Sequence, residues 1–199
     1  MKTDYDVTVI GLGPAGTLTS LLLSDSSVNV IGIDKEKDIY SLPRAVTIDD
    51  EGLRVLQRLN LEHIYLDNAT AIEGAYFLDD KFQKLSGMDI PSGHLTSNGW
   101  APTMLFHQPY TDALLREELL KSTCSIKLET ELVDLIPKRN HYIVKTQNLT
   151  NGEEISFSTQ YLVGADGASS KVRNIMGFDQ EDLDYDKNHL IINKDKITF

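Results

Sequence analysis

Gly11, Gly13 and Gly16 stand at the spacing G-x-G-x-x-G, and Asp34 follows the last of them by 18 residues. Bare glycine backbone does one chemical job well: it lets amide N–H groups close on an anion with no side chain in the way. In a turn from strand to helix, Gly11 permits the tight turn, Gly13 lets the main chain reach a diphosphate, and Gly16 lets helix and strand pack closely. The amides that open such a helix have no partner within it, and the helix dipole favours negative charge there. A carboxylate at Asp34 accepts hydrogen bonds from the hydroxyls of an adenosine ribose and disfavours a 2′-phosphate. The plainer alternatives are a sharp turn that happens to use three glycines and a strand-end acid of no special role. Between a β-branched run and an apolar helix, the three glycines favour dinucleotide binding, with NAD and FAD both open.

A second cluster, Gly164-Ala165-Asp166-Gly167-Ala168-Ser169-Ser170-Lys171-Val172-Arg173, again leads from an apolar run through a sharp turn into a basic stretch. Ser169 and Ser170 invite a nucleophile reading, but neither lies in G-x-S-x-G, and helix capping accounts for a serine just after a turn. His63, His94, His107, His141 and His189 show no i, i+4 pair and no cysteine partner, so no metal site is expected. Asn68-Ala69-Thr70 and Asn148-Leu149-Thr150 match the glycosylation pattern, which has no use without a secretory leader.

Elements must hold these groups in place. Val7, Val9 and Ile10 read as a strand, Ala15 to Leu23 as an apolar helix, and Val28 to Ile33 as a strand buried on both faces, which together make a parallel β-α-β unit. Ile48 to Leu59 reads as a helix with Asp49, Asp50 and Glu51 in its first turn, where acids suit the dipole. Ala71 to Leu85 reads as a hairpin about Asp79-Asp80, Ser86 to Pro102 as a long loop, and Pro109 to Leu120 as a helix. A strand region is expected at Ile126 to Ile136. A hairpin is expected from His141–Thr146 to Ile155–Ser158 across Asn151-Gly152, followed by a separate strand at Tyr161 to Gly164. Lys171 to Met176 reads as a short helix, Asp179 to Asp186 as a solvated acidic connection, and His189 to Ile192 as a strand.

The 199 residues carry 19 basic and 30 acidic side chains, a formal net charge of −11, which disfavours a nucleic-acid partner. The composition is that of a globular chain, and the only long apolar stretch near the N-terminus is broken by glycines and Pro14, so neither a signal peptide nor a membrane anchor is expected. A single cysteine, Cys124, allows no internal disulfide and fits the cytoplasm.

The second cluster is similar to the Asp-Gly motif G-A-D-G-x-x-S-x-V-R of the group A flavoprotein monooxygenases, the para-hydroxybenzoate hydroxylase family. Gly164, Asp166, Gly167, Ser170, Val172 and Arg173 match it. Tyr40 to Val46, Asp50-Glu51 with Leu53-Arg54, and Phe106-His107-Gln108-Pro109 resemble the 3-(3-hydroxyphenyl)propionate hydroxylase branch of that family. With the glycine loop, these motifs follow in family order from about Tyr5 onward.

The resemblance implies an α/β chain with an FAD/NAD(P)-binding Rossmann-like three-layer fold and an incomplete β-rich substrate domain. Residues 1–70 and 101–180 would form the FAD-binding domain, and 71–100 and 181–199 would be segments of the substrate domain. It implies FAD as cofactor, NAD(P)H as co-substrate, O2, and a small aromatic substrate. The residues expected at the cofactor are Gly11, Gly13, Pro14, Ala15, Gly16, Asp34, Lys35, Arg44, Gln108, Asp166 and Gly167. In that set Arg44 and Gln108 fall on the flavin side and Asp166 accepts a hydrogen bond from the ribityl or diphosphate region; outside it, the resemblance gives Arg173 an attraction for phosphate. Family chains are considerably longer and carry a later Gly-Asp motif that is not matched here. The expectation is therefore the FAD-binding portion of an aromatic hydroxylase, weakly active or inactive alone, completed by a missing C-terminal half or a second copy. A non-catalytic adenine-dinucleotide module and an NAD-dependent dehydrogenase are the alternatives, the latter lacking a recognisable acid-base constellation.

Overall fold

The computed structural model describes residues 2–184; the strand expected at His189–Ile192 lies outside them. Strand β1 (Tyr5–Ile10) passes through the glycine turn into helix α1 (Pro14–Asp25), and β2 (Val30–Ile33) returns parallel to β1 with Val7 opposite Val30 and Ile10 opposite Ile33. Pro14 opens α1, where a missing N–H costs nothing because that amide has no helical partner. All four residues of β2 are buried, as a run without polar alternation requires.

Next come β3 (Thr47–Asp49), α2 (Asp50–Arg58), α3 (His63–Leu66) and β4 (Ala69–Ala71), then the hairpin β5 (Gly74–Leu78) and β6 (Lys84–Asp89). The chain continues through β7 (Thr103–Phe106), α4 (Gln108–Lys121), β8 (Ser125–Lys127), β9 (Thr130–Pro137), β10 (Tyr142–Asn148), β11 (Glu154–Gly164) and α5 (Lys171–Ile175). Among the described residues, the main sheet runs β8-β2-β1-β11-β10-β9, β3-β7-β4 form a second sheet, and β5-β6 a third.

Strand β11 explains how three layers arise. Thr159 stands opposite Tyr5 in a parallel pairing and opposite Tyr142 in an antiparallel one, so the strand changes partners at that point. Its second half completes the parallel layer, and its first half belongs to an antiparallel meander with β10 and β9. The meander packs back over the parallel layer: Ile10, Ile31 and Ile33 meet Leu132, Leu135, Val144 and Phe157 in one core. On the opposite face Val7, Val9, Leu12 and Val30 meet Leu53 and Leu56 of α2, Ile64 and Tyr65 of α3, and Leu115 and Leu119 of α4. Each fully buried leucine of that set contributes roughly 1.5–3 kcal/mol.

Several local expectations shift in the structure. The helix expected from Ile48 begins at Asp50, because Thr47–Asp49 pairs with Thr103–Leu105 and the Asp49 carboxylate caps α2 by accepting from Gly52 N at 2.8 Å. Part of the expected loop at 86–102 is strand β6, which extends the hairpin to Asp89. Ile155–Ser158 and Tyr161–Gly164 are one strand, because the partner change at Thr159 requires no break. The region at 126–136 is two strands, separated where Glu129 takes a left-handed backbone conformation, φ +51°.

Candidate cofactor site

The turn between β1 and α1 is drawn tight by hydrogen bonds from Gly11 N to Ile33 O at 2.8 Å and from Ala165 N to Ile10 O at 2.7 Å. Gly11 has φ +90°, and a Cβ there would lie 2.4 Å from Ala165 O; a Cβ on Gly16 would lie 1.8 Å from Gly11 O. Both positions therefore require glycine for the fold itself. Gly13 is different. Its backbone is extended, φ −67° and ψ −173°, and a Cβ there would meet no atom of the described residues within 4 Å. Among the described residues nothing in the packing requires a glycine at 13, whereas an anion closing on the start of α1 would gain from bare backbone there. Pro14 and Ala15 are exposed beside it, and no side chain of the described residues caps α1.

Leu12, between the first two glycines, is the keystone. Its N–H donates to Asp34 Oδ2 at 2.8 Å, and its carbonyl accepts from Thr17 Oγ1 and from Arg116 Nη2, each at 2.9 Å. Its side chain is fully buried against Gly32, where a Cβ would fall 2.7 Å from Leu12 Cδ2. The Asp34 carboxylate thus faces the glycine turn. Its other oxygen accepts from Glu36 N at 2.9 Å, and Arg116 Nη2 approaches Oδ2 to 3.7 Å. Lys35 is exposed and lies 3.9 Å from Glu36.

Arg44 and Gln108, distant in sequence, come together. Gln108 Oε1 accepts from the backbone N–H of Arg44 and of Ala45, both at 2.7 Å, while Gln108 Nε2 donates to Asp112 Oδ2 at 3.1 Å. The Arg44 guanidinium lies over the Tyr40 ring, 4.3 Å from its centroid, an attraction to the ring face rather than a surface ion pair. Burial pushes the Asp112 carboxyl up to about 6, opposed by the Gln108 hydrogen bond and the charges of Arg44 and Arg116. Burial likewise lowers Arg116, opposed by the charges of Asp34 and Asp112.

At the second cluster, Gly167 has φ +80° and open space around it. Asp166 serves the start of α5: Oδ2 accepts from Lys171 N at 2.7 Å and Val172 N at 3.0 Å, and Oδ1 accepts from Ser170 Oγ at 2.5 Å. Burial alone would raise the carboxyl, but the Ser170 hydroxyl and these N–H groups hold it below the usual carboxylate range. Ser170 in turn caps α5 by accepting from Arg173 N at 3.0 Å, so its hydroxyl is engaged in capping. The Arg173 guanidinium donates to Ala168 O at 2.8 Å.

The glycine turn, Asp34 and the Ala165–Asp166 backbone thus share one end of the parallel strands, and Arg116 ties them to the Asp112–Gln108–Arg44 group. Arg116 and Asp112 were not foreseen in the sequence. A single arginine or aspartate inside a helix carries no local signal, and both acquire a role only when α4 packs across the turn.

Comparison with solved structures gives the same fold. The chain is similar to p-nitrophenol 4-monooxygenase PnpA from Pseudomonas putida DLL-E4, with TM-score 0.76 and 23% identity over 89% of this chain and 44% of that one. It is also similar to the flavin-dependent monooxygenase PieE, solved with FAD and substrate, with TM-score 0.74 and 19% identity over 88% of this chain and 33% of that one. Among curated proteins, a 3-(3-hydroxy-phenyl)propionate/3-hydroxycinnamic acid hydroxylase of Mycolicibacterium gilvum (strain PYR-GCK) is 30% identical over 176 residues, 88% of this chain and 30% of the relative. A probable NADH-specific resorcinol 4-hydroxylase of Rhodococcus jostii (strain RHA1) is 25% identical over 189 residues, 94% of this chain and 35% of the relative. The chain therefore spans about a third of the length of these curated relatives. The family model described as FAD binding domain matches residues 4–198, and the chain belongs to that family.

Proposed function

We propose that this chain is the FAD-binding portion of a flavin-dependent monooxygenase that hydroxylates a phenolic or other small aromatic compound with NAD(P)H and O2. The observation that carries the reading is the contrast among the three glycines. Two are required by the fold; at the third, Gly13, a Cβ would meet no atom of the described residues, so its bare backbone leaves room for an anion at the α1 amides, with the Asp34 carboxylate turned toward the same place. The diphosphate would lie at Gly11, Gly13, Pro14, Ala15 and Gly16, the adenosine ribose at Asp34 and Lys35, and the flavin side toward Arg44 and Gln108. Asp166 and Gly167 would border the cofactor from the second turn.

FAD, when bound, supplies the redox chemistry of a reaction in which one oxygen atom enters an aromatic C–H bond, the other becomes water, and NAD(P)H is oxidised. This chain's residues contribute position and exclusion. The α1 amides hold the diphosphate charge, Asp34 orients the ribose, and the Gln108 side chain fixes the backbone that carries Arg44. A cytoplasmic location agrees with the one buried, unpaired cysteine, Cys124, and no helix among the described residues is long and apolar enough to cross a membrane. The exposed hairpin β5–β6 and residues 71–100 around it would belong to the substrate-facing part of the complete enzyme, with 1–70 and 101–180 forming the FAD-binding domain.

Titration of the purified chain with FAD, ADP and NAD, followed by the visible spectrum after gel filtration, tests this reading. A retained flavin band and tighter binding of FAD than of NAD support it. A colourless protein that takes up NAD but not FAD overturns it.

A further inference from the structure

Two backbone N–H groups, those of Arg44 and Ala45, end on the same atom, Gln108 Oε1. Donors need an acceptor, so the amide oxygen must face the 44–45 segment and the amide nitrogen must face the other way. There it meets Asp112 Oδ2, one helical turn along α4. We propose that Asp112 is a positioning residue: its carboxylate fixes which way the Gln108 amide faces and thereby holds the Arg44–Ala45 backbone against the start of α4.

An ionised carboxylate only accepts. It favours the observed orientation and opposes the flipped one, which would set amide oxygen against carboxylate and amide NH2 against two N–H groups. Gln108 is buried, so no water is at hand to satisfy a flipped amide. Arg44 faces Asp112 from the segment after β2, Arg116 faces it from α4 itself, and Tyr65 of α3 lies near it with Thr111 as a shared neighbour. Among the described residues, the second carboxylate oxygen, Oδ1, is buried without a hydrogen-bond partner. Burial places the titration of this carboxyl at about 6. Protonation there would replace a charge-assisted hydrogen bond by a neutral one about half as strong.

The consequence for the cofactor rests on the FAD reading above, because only that reading puts Arg44 at the flavin side; the positioning itself does not. Residue-resolved amide hydrogen exchange on the FAD-free chain separates the two. Protection factors at Arg44 and Ala45 are expected to fall by about fivefold from about pH 7.5 to about pH 5 in wild type. They should stay level in Asp112→Asn, whose side-chain oxygen still accepts from Gln108, and be reduced at every pH in Asp112→Leu. Equal pH profiles in wild type and Asp112→Asn overturn the proposal, as does unchanged protection in a folded Asp112→Leu. If Asp112→Leu fails to fold by circular dichroism, the comparison of wild type with Asp112→Asn decides. Should exchange behave as expected while FAD affinity stays level across the same pH range, the positioning role stands and the placement of Arg44 at the flavin falls.

Discussion

At the scale of single residues the three glycines part company. A Cβ on Gly16 would overlap the Gly11 carbonyl at 1.8 Å, so Gly16→Ala should lower stability by several kcal/mol, in the range of severe overpacking, seen as a fall in the thermal midpoint or loss of soluble protein. Gly13→Leu should fold like wild type, because φ −67° suits any residue and the space is open, yet weaken FAD binding by tenfold or more, roughly 1.4 kcal/mol. Calorimetric titration beside a melting curve separates the outcomes, and a folded Gly13→Leu with undiminished affinity would count against the site. Asp112 offers a pH test of its own. Its folded pKa, about 6, lies above the ordinary value of 3.8, so the folded state holds the proton more tightly and stability falls as pH rises through that interval. The melting temperature of Asp112→Asn relative to wild type should therefore improve between about pH 4.5 and about pH 7.5, and an unchanged difference would contradict the assignment. The glycines and Asp34 were legible in the sequence because their roles are local to a turn and a strand end. Arg116 was not, since its hydrogen bond to Leu12 spans 104 residues and exists only in the packed molecule.

At the scale of elements, the long apolar runs were legible and the short pieces were not. Two β-branched runs flanking an apolar helix have one sound arrangement, and the parallel β-α-β unit is the one found. β3, β4 and β7 escape notice because each is three or four residues long and exists through pairing with distant chain: the Ile48 carbonyl and the Thr103 hydroxyl that donates to it are 55 residues apart. Helix α5 depends on its cap more than on its length. Replacing Ser170 by Ala removes the acceptor for Arg173 N and the donor to Asp166, and should destabilise the chain by about 1 kcal/mol. Denaturant unfolding reads this directly, and a change below about 0.3 kcal/mol would mean that the second turn is held mainly by the seat of Val172 against Gly164.

The whole molecule presents two faces of different character. One end of the parallel strands gathers the glycine turn, Asp34 and the second turn, while the hairpin β5–β6, which among the described residues pairs only with itself, exposes Phe77, Phe82, Leu85 and Met88, at 72%, 84%, 69% and 61% of their full areas. Contiguous exposed apolar surface is a liability in a free chain. The double variant Phe77→Ser, Phe82→Ser should bind less of a hydrophobic dye and self-associate less in sedimentation, with unfolding free energy within about 0.5 kcal/mol of wild type. Undiminished dye binding would show that the hairpin is covered in solution. The sequence marks those side chains as apolar but does not reveal their exposure, because exposure depends on what packs over the hairpin.

Whether FAD lies along the β1–α1 turn with its ribose at Asp34 is decided by mapping amide chemical shifts of the isotope-labelled chain during FAD titration. The largest changes should fall at Leu12, Gly13, Ala15 and Gly16, then at Asp34 and Lys35, with the meander β9–β10 quiet. Changes confined to the meander or the hairpin, or a glycine turn that does not respond at saturating FAD, would contradict that placement.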